Sequence, residues 1–421
     1  MISRYLKSSL TKHPWWADLE ASSRRNIGFH AEGTWRNIMT HTRPATDSSA
    51  ASFAVISARM AAGLERDPTR RFHFKVPPRW RSPKLDNPFA AEAQRRIIPW
   101  FESLGCSRTE VERAQKFDAA GYVGIPFPTL TRQKTLRIAR YLSLWLLRDD
   151  AHVETPEGRW KIDADHILSD VRPARMTRFD EGWWQLLGEL AVERSPAWID
   201  RLCQTMAAWN AAVVEEAALA KARRERGEVL SFDRQLELRI VTTGMCATVY
   251  LLEDAHDFER SAAFDAHPTV RRIERLAGQI VGLGNDLLSF GEHRAEDRCN
   301  LVTTLLRESG ASIETATERL VGMHDDSLEE LDRLGDSLLA GPSGTSPSLA
   351  RWLQDLRYAA LGFSLRESRA ASCTAHDFPP ARPAPPSSRR FAAPPSTRRH
   401  SAPPSGRRAP LPSVLDFPED C

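Results

Sequence analysis

The stretch Ile273-Glu274-Arg275-Leu276-Ala277-Gly278-Gln279-Ile280-Val281-Gly282-Leu283-Gly284-Asn285-Asp286-Leu287-Leu288 repeats apolar residues three and four positions apart, the period of one buried helix face. It runs on into Ser289-Phe290-Gly291-Glu292, so an apolar helix leads directly to a set of oxygen-bearing side chains. At about 100° per residue, Ser289 lies roughly 40° from Asn285, and Glu292 about 20° to its other side. If the helix continues that far, one face carries an amide oxygen, a hydroxyl and a carboxylate in a column.

The same period recurs in Ile97 to Leu104, Leu136 to Leu147, Trp183 to Leu190, Ile199 to Val214, Leu236 to Leu252, Leu301 to Leu306 and Trp352 to Leu365. Breaks fall at Gly and Pro, as in Gly121 to Pro128, Pro156 to Gly158, Gly227, Pro268 and Gly341 to Pro347. Period-two strands bounded by turn residues are lacking. The pattern predicts an all-α fold, one large α-helical bundle over residues 71–371. Residues 1–70 read as a poorly ordered N-terminal extension. Residues 372–421 read as a disordered Pro/Ser/Arg-rich tail, in which Ala-Pro-Pro-Ser-x-Arg-Arg begins at Ala384, Ala393 and Ala402. Proline at that density removes amide donors and favours extended chain. Such a tail is either simply solvated or a docking site for an SH3-like or acidic partner.

Composition narrows the function. Of 421 residues 41% are hydrophobic, enough for a substantial core. The net charge of +3 arises from a basic tail on a nearly balanced body, which argues against a nucleic-acid footprint. No stretch reaches the roughly 20 apolar residues that span a bilayer. The six cysteines show no metal-ligand spacing and read as reduced thiols, which points to the cytoplasm. The sequence leaves monomer and homodimer open.

Two further elements carry chemistry. Asp149-Asp150 follows the apolar run Tyr141 to Leu147, with Glu154 about one turn beyond. Carboxylates at a helix C-terminus oppose the helix dipole, and a cation would offset this. Arg239 stands among apolar neighbours in Leu236 to Gly244, so its charge is either paired or aimed into a cavity. Gly244 inside that helical run costs about 1 kcal/mol against Ala, which makes sense if the helix breaks there or a ligand approaches the backbone. Two separated sets of hard oxygen ligands and a cation are what a magnesium-bound diphosphate needs.

These residues resemble those of a class I terpene synthase of the bacterial type. Asp149-Asp150-Ala151-His152-Val153-Glu154 resembles the DDxxxE form of its aspartate-rich motif, and Asn285, Ser289 and Glu292 resemble its Asn/Ser/Glu triad. Leu236 to Gly244 resembles its L-x-L-R-x-x-T-x-G segment, and Arg239 lies 46 residues before Asn285, at the place of the diphosphate-sensing arginine. Phe363 to Ala370 resembles the C-terminal W-S-L-x-x-x-R-Y stretch, and Phe72 to Pro78 with Asn87-Pro88 the N-terminal proline-rich entry. The resemblance spans about 300 residues. It implies the class I terpenoid synthase fold and ionisation of an isoprenyl diphosphate substrate, farnesyl diphosphate first, followed by cyclisation. It also implies three Mg2+ ions held by Asp149, Asp150, Glu154, Asn285, Ser289 and Glu292. Arg239 and Arg369 would bind diphosphate, Thr242 and Thr243 would take the linker and effector positions with Gly244, and Trp145 and Phe363 would face the carbocation.

Three positions depart from the family pattern. The triad's Glu falls eight residues after Asn in the family, whereas position 293 is His and Glu292 comes one early. Gly291 stands where the family has Lys, and Ala370 where it has Tyr. Two alternatives stay open at this level: a non-catalytic homologue acting as a scaffold through its tail, and a chain-elongating isoprenyl diphosphate synthase. The latter would need a second DDxxD motif where Asn285 stands.

Overall fold

The computed structural model describes residues 74–80, 87–116, 118–152, 160–228, 230–290, 299–341 and 346–372; for residues 78, 116, 148–152 and 365–372 it describes the backbone alone. In chain order the helices are α1 (Ala90–Ser103), α2 (Arg108–Lys116), α3 (Ala119–Gly124), α4 (Arg132–His152), α5 (Ala164–Leu168), α6 (Arg178–Glu193), α7 (Pro196–Arg226), α8 (Phe232–Thr242), α9 (Met245–Ala255), α10 (Ala262–Ala266), α11 (Pro268–Leu288), α12 (Leu301–Ser309), α13 (Ile313–Ala340) and α14 (Pro347–Ser372). No strand occurs among the described residues. The expected extension 1–70 and most of the tail 372–421 lie outside them.

Local chemistry sets the boundaries. Ser195 caps α7 ahead of Pro196, Thr177 and Asp180 form a reciprocal capping box on α6, and Ser231, Asn300 and Ser312 cap α8, α12 and α13. Gly227 and Gly310 stop α7 and α12 in the left-handed conformation. No helix among the described residues is long and apolar enough to cross a membrane.

Helix α11 is the hub. It packs against α8, α9, α13 and α14, and Ile273, Leu276, Ala277, Ile280 and Leu283 are fully buried. At about 1.5–3 kcal/mol for each large aliphatic side chain, this helix is a large part of the core. The main apolar cluster gathers Phe101, Leu142, Trp183, Trp198, Trp209, Leu251 and Trp352 around it. A second cluster, of Phe232, Leu236, Ile240, Leu283, Leu287, Phe290, Leu301 and Leu320, packs the end of α11 against α8, α12 and α13, with Phe74 laid over it. Phe74 stacks on the buried ring of His324, whose pKa burial pushes down to about 4.

The run Leu236 to Leu252 breaks at Thr243-Gly244 into α8 and α9, one of the two outcomes that Gly244 left open. One helix departs from the sequence reading: the 28-residue α13 was missing from the apolar runs. Its buried face includes Thr317, His324, Ser327 and Gly335, and these non-aliphatic residues blur the apolar period.

Candidate active site

The site is organised by the break between α8 and α9. Gly244 adopts φ +71°, a left-handed conformation that glycine enters without steric cost. A Cβ there would also lie 2.6 Å from Trp145 Nε1, so the indole of α4 rests directly on the break. That indole N–H is buried and has no hydrogen-bond partner. Trp209 of α7 tilts against Trp145 at 6.0 Å and donates from Nε1 to the Thr242 carbonyl at 3.2 Å. Thr243 Oγ1 donates back to the Ile240 carbonyl. No backbone amide among the described residues donates to the Thr243 carbonyl, which leaves that dipole available at the break. Trp145, Thr243 and Gly244 are thus brought together.

Arg239 lies one turn before the break and meets the end of α11. Its Nε donates to Asp286 Oδ1 at 2.9 Å, its Nη2 donates to Asn285 Oδ1, and its Nη1 donates to Thr242 Oγ1 at 3.3 Å. Glu216 of α7 stands 3.9 Å from Nη1. Helices α8 and α11 come this close because α11 presents glycine. A Cβ on Gly278 would meet the Ile240 carbonyl oxygen at 2.7 Å, and one on Gly282 would meet Arg239 Cγ at 3.3 Å and Thr243 Cγ2 at 3.4 Å.

Asp286 was missed by sequence reasoning. It is fully buried, and its Oδ2 accepts the Leu301 amide at 2.8 Å while its carbonyl accepts Asn300 Nδ2 at 2.8 Å. Its signal was present, since a carboxylate between Asn285 and two leucines on a buried helix requires a partner. Glu216 gave no comparable signal.

Of the expected triad, the described residues include Asn285 and Ser289. Helix α11 ends at Leu288, and Ser289 is its C-cap, with its hydroxyl on the Asn285 carbonyl. Asn285 and Ser289 are therefore adjacent, while Glu292, Gly291 and His293 lie outside the described residues. Asp149 and Asp150 occupy the last turn of α4, with only their backbone described, and Glu154 lies outside. Phe363 joins other rings, edge-on to Phe127 at 5.8 Å and 6.4 Å from Tyr122. Arg369 falls on the last turns of α14, where the backbone alone is described.

The donor set suits a hard cation. Asn285 Oδ1 and Ser289 Oγ are neutral oxygens at the C-terminal, negative end of α11. Around them the guanidiniums of Arg239 and Arg223 stand with two carboxylates, Asp286 and Glu216. The Cys299 thiol beside them is pushed up to about 11, chiefly by burial and then by Glu216. Among the described residues no three His, Cys, Asp or Glu side chains form a metal cluster on their own. Asp149 and Asp150, at the negative end of α4, would have to complete the set.

The all-α bundle is the fold of the class I terpenoid synthases. Residues 147–330 match the family model described as terpene synthase family 2, C-terminal metal binding. Over that span the chain is similar to the class I terpene synthases. It is 27% identical over 241 residues to a Streptomyces viridochromogenes 7-epi-alpha-eudesmol synthase that cyclises (2E,6E)-farnesyl diphosphate, covering 55% of this chain and 70% of the relative. It is 24% identical over 300 residues to a 4-epi-cubebol synthase of Streptosporangium roseum, covering 68% and 89%. Among solved structures, linalool/nerolidol synthase from Streptomyces clavuligerus superposes with a TM-score of 0.59 at 20% identity, over 69% of this chain and 98% of that one.

Proposed function

We propose that the protein is a Mg2+-dependent terpene cyclase that ionises an isoprenyl diphosphate, farnesyl diphosphate first, and releases diphosphate. The observation that carries this reading is the meeting of Arg239, Asn285 and Asp286 beside a helix break lined by Trp145 and Trp209. Relatives that cyclise farnesyl diphosphate support the substrate.

Asp149, Asp150, Glu154, Asn285, Ser289 and Glu292 would hold the metal, three ions in all. Bound Mg2+ supplies Lewis-acid stabilisation of the charge that grows on the leaving diphosphate. Arg239 and Arg369 would donate to the same oxygens, and donors aimed in advance at developing charge need little reorganisation during reaction. The allylic carbon–oxygen bond breaks, and both electrons leave with the diphosphate oxygen. The Thr243 carbonyl, with its negative end at the break, lies beside the carbon that becomes positive. Trp145 and Phe363 offer ring faces to the cation, and the apolar walls keep water from quenching it. A distal double bond then attacks the cation and closes a ring. Loss of a proton gives a hydrocarbon, and addition of water with loss of a proton gives an alcohol.

Incubation with geranyl, farnesyl and geranylgeranyl diphosphates and Mg2+, followed by GC–MS of hexane extracts, tests this. A cyclic product from farnesyl diphosphate that disappears with EDTA is expected. Absence of product from all three substrates, with free diphosphate unchanged, would overturn it.

A further inference from the structure

Where a helix stops, its last carbonyls lose the amides of the next turn and must find other donors. Between Arg239 and Gly244 most of them do so locally. The Thr243 amide takes the Arg239 carbonyl at 3.2 Å, and the Gly244 amide takes that of Val241 at 3.1 Å. The Thr243 hydroxyl takes the Ile240 carbonyl at 2.9 Å, and the Ala247 and Thr248 amides take that of Gly244 at 3.2 Å. The Thr242 carbonyl has no such backbone donor among the described residues. Its donor comes from another helix, the Trp209 indole N–H of α7 at 3.2 Å. We infer that Trp209 is a positioning residue: it holds the Thr242 carbonyl aside and leaves the Thr243 carbonyl to a growing cation. This rests on the reading of the break as the place where the allylic carbon becomes positive.

The surroundings fit this role. Trp209 is 1% exposed, so its N–H needs an acceptor inside the protein, and the break supplies one. Helix α7 packs on both α8 and α9, which lets one of its side chains reach the seam between them. The Trp145 indole lies 6.0 Å from the Trp209 ring and fills the space that a Cβ at position 244 would need. Trp209 is thus braced by Trp145 and bonded to the end of α8 at its tip. Without the indole donor, Thr242 and Thr243 would present two consecutive carbonyls with no hydrogen bond. Buried carbonyls in that state are costly, and the peptide planes of the break would rotate to find partners. The dipole at the reacting carbon would then lose its fixed direction, and a dipole stabilises developing charge well only when it is aimed in advance.

Replacing Trp209 in the full chain by 3-benzothienylalanine tests this, because the bicyclic ring stays and sulfur takes the place of the N–H. Calorimetry with Mg2+ and inorganic diphosphate present compares two ligands. One is farnesyltrimethylammonium, a fixed cation on an isoprenoid chain, and the other is its neutral analogue with carbon in place of nitrogen. The wild type should prefer the ammonium, and the replaced protein should bind it about tenfold more weakly, the worth of one buried hydrogen bond. The neutral analogue should bind both proteins alike. Trp209→Phe, which also lacks the donor, should show the same charge-selective loss. Equal ammonium binding in all three proteins, or equal loss of the charged and neutral ligands, would overturn the inference. So would a wild type that does not distinguish the two ligands, or failure of both variants to fold, since the bond would then be structural only. If the wild type turns over no isoprenyl diphosphate yet the charge-selective loss remains, the proposed function falls and the role of Trp209 at the break stands. If farnesyl diphosphate is cyclised and the selective loss is absent, the role of Trp209 falls alone.

Discussion

Two helix ends in this chain carry nearly the same residues. Leu146-Leu147-Arg148-Asp149-Asp150-Ala151-His152 closes α4, and Leu251-Leu252-Glu253-Asp254-Ala255-His256 runs through the end of α9. Each sets two carboxylates against the negative end of a helix dipole. At α9 the protein supplies its own cations. Asp254 accepts from Lys134 Nζ at 3.0 Å, Arg137 Nη1 at 2.8 Å and Arg194 Nε at 3.1 Å. Glu253 accepts from Arg260 Nε at 2.6 Å and Trp198 Nε1 at 3.2 Å, and Arg260 is itself sandwiched near the rings of Tyr250 and Trp352. At α4 the proposed function assigns that role to Mg2+. An acidic pair is thus a structural device or a candidate metal site according to what faces it, and nothing in its local sequence says which.

The comparison breaks most visibly by exchanging the two losses. Asp254→Ala should take the shared buried partner from three cations, leaving Lys134 and Arg194 with Asp257 and Arg137 with Glu193, and cost about 3 kcal/mol of stability, read as a large drop in the urea midpoint. Asp149→Ala should leave that midpoint nearly unchanged and lower turnover by about 10²–10³-fold. A destabilised Asp149→Ala, or an Asp254→Ala that is stable and inactive, would reverse the assignment.

Next in size is Gly244→Ala. Its left-handed φ costs a non-glycine residue roughly 1–2 kcal/mol, and the new Cβ would press on Trp145, so kcat should fall more than stability does. Equal losses in both would make the break a structural feature only. A smaller effect belongs to Gly282→Ala, which would push α11 from Arg239 by a few tenths of an ångström. Overpacking of this kind costs about 1–3 kcal/mol at most, and KM for the diphosphate should rise if the α8–α11 contact sets the position of Arg239.

The smallest effect is in the pH dependence at the α9 end. Burial raises the Glu253 carboxyl from its ordinary 4.5 to about 7, against the opposing pull of Arg260. The folded state therefore binds this proton more readily than the unfolded chain. The associated stability is full below about pH 4.5 and is lost as pH rises through about 7. Glu253→Gln should flatten that part of the stability profile, and an unchanged slope would locate the titration elsewhere.

Much of the fold was legible because most helices bury an aliphatic stripe, as in α4, α6 and α11. The site was legible where a residue type conflicts with its surroundings: Arg239 among apolar neighbours, and Gly244 within a helical run. Asp286 was overlooked because its role depends on α8 and α12, which approach it from distant parts of the chain. The end of α11 at Leu288 was hidden because Ser289 and Phe290 continue the helical period, and only the cap geometry reveals the stop.

Asp286 has one more consequence. Its carbonyl and carboxylate grip Asn300 and Leu301, so one residue fastens both feet of the connection from α11 to α12. A span tied at its feet can change length without moving what lies beneath it. The same carboxylate that fixes where α12 begins also holds Arg239, so the start of α12 and the position of Arg239 share one anchor.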